Sequence, residues 1–179
     1  MKTKTRMMTS VAMFVALGIL LPMVFHAVGL GKVFLPMHIP VFLSGILCGP
    51  VSGLVTGVVT PILSAVLTGM PALAPPVAQA MVFELGLYGL LSGVFAHRLN
   101  LSALVSLVLT MAAGRVVYGL LAAFALPVLG FKPVPVSYPI TAALLASMPG
   151  VILQIVVVPV VVTLARRAVS KRAGGNGEK

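Results

Sequence analysis

The chain consists of apolar runs of membrane-spanning length, separated by short segments rich in proline, glycine or charge. A helix needs about 20 apolar residues to cross the ~30 Å hydrocarbon core of a bilayer. By this criterion the pattern predicts six spans, at about 7–25, 39–48, 51–68, 77–96, 101–126 and 139–165. The second span is short, and the sixth is longer than needed, which indicates a tilt or a bend at one of its prolines.

The most regular pattern lies in the stretch 35–76, where glycine recurs at every fourth position, at Gly45, Gly49, Gly53 and Gly57. Small residues at this spacing let membrane helices pack closely. Gly49-Pro50 interrupts the run and predicts two helices that meet there. Two interpretations stay open: a tightly packed helical hairpin, or part of a binding site, to which interrupted spans in membrane proteins point.

Composition supports a membrane protein. Of the 179 residues, 60% are hydrophobic and 8% are charged, whereas a soluble domain carries about 25% charged residues. We therefore predict an all-α membrane protein with a single six-helix domain over residues 1–179, whose last part, 168–179, forms a basic and disordered tail.

The basic residues predict the orientation of the chain. The net charge is +10, but Lys and Arg cluster at both ends, which is typical of membrane anchoring rather than of nucleic-acid binding. With six spans, Lys32 and Lys132 lie on one side, and most other basic residues lie on the opposite side. Both termini are therefore predicted to be cytoplasmic, in a prokaryotic plasma membrane, and the loops 26–38, 69–76 and 127–138 face outward.

Two ionisable side chains, Glu84 and Arg115, lie deep in predicted spans. A charge there costs about 3 kcal/mol, so each needs a partner or a wet cavity. The two side chains either pair with each other or line an outward-facing ligand cavity. Tyr88 shares a helix face with Glu84, and Tyr118 shares one with Arg115. With Gln79 and Gln154, these polar groups in an apolar wall are typical of a small-molecule site.

The sequence contains no recognisable catalytic arrangement. It has no nucleotide-binding glycine-rich loop, and its acidic residues are Glu84 and Glu178. The chain is therefore predicted to be no enzyme and to bind no cofactor. The single cysteine, Cys48, excludes an intramolecular disulfide. His26 and His38 flank the first outer loop and could meet a ligand, but without a nearby carboxylate they are weak evidence for a metal site.

The chain resembles, over nearly its whole length, the substrate-binding S components of energy-coupling factor (ECF) vitamin transporters. The resemblance rests on the basic start, the short second span, and the block HIPVFLSGILCGPVSGLVTG at 38–57, which contains the run G-x-L-x-G-P-x-x-G-x-x-x-G. AMFVA at 12–16 is similar to the AxxxA motif of that family. This similarity implies that Ala12 and Ala16 dock to a coupling protein.

The resemblance implies a function and a site. An S component captures one vitamin at the outer face, and it then associates with a transmembrane coupling protein and two ATPases, which use ATP for uptake. The resemblance also implies that the loops 26–38 and 69–76 form the lid over the ligand. The implied ligand contacts are Glu84, Tyr88, Arg115, Tyr118, Tyr138 and His38.

The substrate is open at this stage. The segments FLPMHIPVF, LTGMP and FELGLYG are most similar to S components proposed for a cobalamin precursor, namely dimethylbenzimidazole or its riboside. One carboxylate and several aromatic rings suit a heteroaromatic molecule with an N–H donor. An unpaired Arg115 would instead suit an anion such as pantothenate. The competing functions are a six-span structural protein of the cell-shape machinery, which binds no ligand, and, ranked last, an intramembrane enzyme.

Overall fold

The computed structural model describes residues 2–27, 29, 36–71, 77–128 and 142–174. These residues form the helices α1 (Lys2–Ala27), α2 (His38–Cys48), α3 (Pro50–Thr68), α4 (Val77–His97), α5 (Ala103–Val128) and α6 (Ala142–Gly174). Within the described residues, α1, α3, α4 and α6 are long and apolar enough to cross a membrane, whereas α2 and the part Ala103–Val117 of α5 are shorter apolar helices. Each helix matches a predicted span, which confirms the all-α membrane fold; the orientation stays a prediction.

The break between α2 and α3 has a local cause. Gly49 has φ +99°, which side chains of other residues rarely adopt, and Pro50 then begins α3, where its missing N–H costs nothing. Pro50 also leaves the carbonyl of Ile46 without its usual helical donor. The ring of His97, at the end of α4, supplies that donor, with Nε2 at 3.0 Å from the Ile46 oxygen.

The predicted glycine face packs against α4 and forms what we call the glycine interface: Gly45, Gly53 and Gly57 facing Leu85 and Gly89. A Cβ atom on Gly53 would overlap the carbonyl of Gly89, and one on Gly57 would overlap the carbonyl of Leu85. The backbones of α3 and α4 therefore touch directly. The hairpin interpretation of the glycine pattern describes this part of the fold.

Small hydroxyl side chains complete the packing of α3. Ser52, Thr56, Thr60 and Ser64 are all buried along this helix. The hydroxyl groups of Ser44 and Thr56 lie 2.8 Å apart and join α2 to α3 by a hydrogen bond. Side chains of this size let α1, α2 and α4 all pack closely around α3.

The short helix α2 is the centre of the fold. Its residues from His38 to Ile46 are all buried, and it packs against each of the other five described helices. At 1.5 Å per residue, α2 is about 16 Å long, roughly half of the ~30 Å hydrocarbon core. Consequently its first residue, His38, lies inside the bundle, where it meets α4.

The end of α6 lies beyond the last predicted span. The helix extends through 168–174, where alanine, arginine and lysine are good helix formers and no breaker precedes the paired glycines at 174–175. The predicted disorder of the tail stays a prediction. Residues 175–179 lie outside the described residues.

Candidate ligand-binding cavity

A cavity of about 400 Å³, the main cavity, lies between α2, α4, α5 and α6. Each of these helices contributes one polar side chain to its wall: His38, Tyr88, Arg115 and Gln154, in that order. The rest of the described wall is apolar and consists of Val108, Met111, Ala112, Val116, Val151 and Ile155. An apolar wall with a few convergent polar groups is typical of small-molecule sites.

Tyr88 is held firmly in the wall of the main cavity. Its ring is stacked on Phe42, with centroids 5.3 Å apart, and is tilted against His38, with centroids 5.6 Å apart. A Cβ atom on Gly114 would overlap the Tyr88 ring. One edge of the ring therefore lies against the backbone of α5 at Gly114, the residue that precedes Arg115.

Glu84 is connected to the wall of the main cavity by a hydrogen bond with Tyr88. The two residues lie one turn apart on α4, and the Tyr88 hydroxyl donates a hydrogen bond to Oε1 of Glu84 at 3.0 Å. Glu84 is half-buried. Among the described lining residues, Arg115 is basic and none is acidic. The wall thus contains one basic residue, Arg115, whereas the carboxylate of Glu84 is bonded to the Tyr88 hydroxyl.

Gln154 is a wall residue that the sequence marked only as polar. Its side chain is almost fully buried, between Val151 and Ile155 on the cavity side of α6. An amide in an otherwise apolar span was the available signal, but the same signal marked Gln79, which is exposed. The polarity of the side chain alone therefore did not distinguish the buried Gln154 from the exposed Gln79.

The remaining predicted residues divide into three groups. Tyr138 and the side chain of Tyr118 lie outside the described residues, so their predicted ligand contacts stay predictions. The pairing of Glu84 with Arg115 also stays a prediction, because the hydrogen bond described for Glu84 comes from Tyr88.

Exposed His26 donates from Nδ1 to the Pro22 carbonyl on its own helix, at 2.8 Å. Within the described residues, no group of three or more His, Cys, Asp or Glu side chains could hold a metal ion.

A second cavity, of about 520 Å³, lies between α1 and α3 and is called here the α1 groove. Ala12 and Ala16 form part of its wall and are exposed. Its other lining residues are apolar: Met7, Met8, Val11, Val15, Ile19, Val55, Val59 and Leu63. The small alanine side chains leave room for another helix to approach α1 closely.

Comparison with known proteins gives one match. A family model described as "ECF transporter, substrate-specific component" matches residues 6–163, from the start of α1 into α6. Neither the curated proteins nor the solved structures contain a match to the chain.

Proposed function

Since the chain belongs to the substrate-specific components of ECF transporters, which capture vitamin-type substrates for an ECF module, we propose that the main cavity is its cargo site. The observation that carries this proposal is the convergence of His38, Tyr88, Arg115 and Gln154, from four helices, on one apolar cavity. Membership of this family also makes the chain a transporter subunit rather than an enzyme.

The proposed cargo is dimethylbenzimidazole or its riboside. A volume of about 400 Å³ is near the lower end of the ~300–1,000 Å³ found for ligand pockets, which favours a compact molecule. The fused rings match the apolar side chains of α5 and α6. In the free base one ring nitrogen accepts a hydrogen bond and the other donates one, whereas in the riboside the second nitrogen carries the sugar and the ribose hydroxyl groups are the donors. Both molecules suit a wall that carries both donors and acceptors.

Arg115 favours a second candidate, a carboxylate such as pantothenate. Arg115 is among the residues that line the cavity, and a guanidinium group forms charge-assisted hydrogen bonds with carboxylates. The N-terminal end of α2 begins at His38, beside the same cavity, and the positive end of a helix dipole also favours negative charge.

Binding of a compound panel to the purified chain in detergent tests the proposal and separates the two candidates. Dimethylbenzimidazole, its riboside, pantothenate, folate and riboflavin are compared by thermal shift and calorimetry, because a ligand of the folded state raises stability. The Arg115→Gln variant should lose about tenfold to 100-fold in affinity for a carboxylate, but only a few-fold for a neutral ligand.

Arg98→Gln is the matched control, since Arg98 lies in the turn after α4 and is exposed. This variant should bind as the unmodified chain does. A flat response to every compound would contradict the proposed cargo. It would instead favour a vitamin-type substrate outside this panel.

For uptake, we propose that the partners are a transmembrane coupling protein and two ATPases in a prokaryotic plasma membrane. The coupling protein would dock in the α1 groove, over Ala12 and Ala16. The apolar lining of that groove supports a helix of the coupling protein as its occupant. ATP is then used by the partner subunits, and no nucleic acid takes part.

A further inference from the structure

The bond between Glu84 and Tyr88 carries a consequence for what the main cavity can recognise. A phenol has one proton to donate and lone pairs that accept. In the structure that proton points to Oε1 of Glu84. Whatever else approaches the Tyr88 oxygen must therefore bring its own donor.

The ring of Tyr88 has little freedom to change this arrangement. Phe42 and His38 contact it on the α2 side, and the backbone at Gly114 contacts it on the α5 side. Its side chain is only 3% exposed. Glu84 lies one turn away on the same face of the same helix, so the helix keeps the two side chains within reach of each other.

We propose that Glu84 is a positioning residue, which takes the phenol proton and so makes Tyr88 a hydrogen-bond acceptor toward the cargo. Arg115, by contrast, has donors and no acceptor. The main cavity therefore selects a ligand with an N–H or O–H group at Tyr88 and an acceptor at Arg115. This selection rests on the proposed function of the main cavity. The hydrogen bond that Tyr88 donates to Glu84 does not depend on that function.

The state of that proton can be read without any ligand. The tyrosine doublet in the Raman spectrum distinguishes a phenol that donates from one that accepts, and subtracting the spectrum of Tyr88→Phe isolates Tyr88 from the other tyrosines. We expect a strongly donating phenol in the unmodified chain. Glu84→Gln, which keeps the shape but replaces the carboxyl group by an amide, should weaken that signature.

Ser92→Ala is the matched control for this measurement. Ser92 lies one turn beyond Tyr88 on α4, is buried, and donates to the carbonyl of Gly89. Its loss should leave the Tyr88 signature unchanged. A phenol that does not donate in the unmodified chain, or a signature that Glu84→Gln leaves intact, would overturn the positioning role.

The selection is then tested with dimethylbenzimidazole and its N-methyl derivative, which lacks the N–H. The unmodified chain should bind the first on the order of tenfold more tightly, because a buried donor–acceptor pair is lost with the second. Tyr88→Phe should bind both about equally, and Glu84→Gln should show a smaller preference than the unmodified chain. An unchanged preference in Tyr88→Phe would overturn the selection.

The two proposals fail in different ways. If neither benzimidazole binds but the Raman signature depends on Glu84, the proposed cargo is wrong and the positioning role stands. If dimethylbenzimidazole binds and the signature is independent of Glu84, the cargo is supported and the positioning role is wrong.

Discussion

The two faces of α4 show opposite ways of packing a membrane helix. At the glycine interface, Gly89 meets the backbone of α3 with no side chain between them. On the other face, Tyr88 and its neighbours hold α4 away from α5 and α6 and border the main cavity. The contrast shows that glycine positions determine where the bundle is closed. Among the described residues, the main cavity lies where larger side chains separate the helices.

The largest expected effect comes from a substitution that forces the two helices of the glycine interface apart. Gly89→Val would place a branched side chain against the Gly53 carbonyl, which neither backbone can avoid without moving a whole helix. We expect a loss of about 3 kcal/mol or more in the free energy of unfolding, measured as a collapse in yield and thermal stability in detergent.

Gly86→Ala on the same helix is the matched control. A Cβ atom there would meet the Val58 side chain at 3.1 Å, and a methyl group can shift where a backbone cannot. Its effect should be below about 1 kcal/mol. Equal effects of the two variants would contradict the role given to backbone contact.

A charge in the α1 groove should separate uptake from binding. Ala16→Glu places a carboxylate at the proposed docking surface, at a cost of about 3 kcal/mol in an apolar contact, without touching the main cavity. Cellular uptake should fall by about 100-fold, while ligand affinity of the isolated chain stays unchanged. Met13→Glu, at an exposed position of α1 outside the groove, is the control and should retain more uptake. Loss of binding in Ala16→Glu would contradict the assignment.

A substitution with a smaller expected effect tests the other face of α4, where a side chain rather than backbone makes the contact. Gly114→Ala pushes against the Tyr88 ring rather than against backbone, so a single side chain, packed against Phe42 and His38, is displaced instead of a whole helix. We expect the protein to fold but to bind cargo about tenfold more weakly, because the phenol leaves its place beside Glu84. Unchanged affinity, measured by calorimetry, would show that the position of the ring does not matter.

The smallest expected effect concerns the far end of α2. His97→Ala removes the donor to the Ile46 carbonyl and should cost about 1 kcal/mol of unfolding free energy, with cargo affinity unchanged. His26→Ala is the control, since His26 is exposed and bonds only within α1. A stability loss no larger than in this control would show that the Ile46 carbonyl needs no donor.

The sequence predicted those features that depend on local chemistry. The spans follow from apolar length, and the break at Gly49-Pro50 follows from two residues whose backbone preferences are known. The same kind of local chemistry accounts for the extension of α6 through 168–174, where alanine, arginine and lysine are good helix formers.

The residues of the candidate site could be named from the sequence, but their contacts could not. Polar side chains in apolar spans pointed to Glu84, Tyr88 and Arg115, whereas the hydrogen bond from Tyr88 to Glu84 and the place of Arg115 in the cavity wall come from the structure. The pairing of Glu84 with Arg115 stays a prediction. Which way a side chain points depends on how the helices pack against one another, and the glycine interface fixes that packing through contacts far apart in the sequence.

The central position of α2 makes its length as constrained as its composition. One end presents His38 to the main cavity and the other ends at the turn of Gly49, with Ile46 bonded to α4. A single inserted residue would rotate one end relative to the other by about 100° and lengthen the helix by about 1.5 Å. We therefore expect α2 to tolerate exchanges among apolar residues far better than any insertion or deletion between His38 and Gly49.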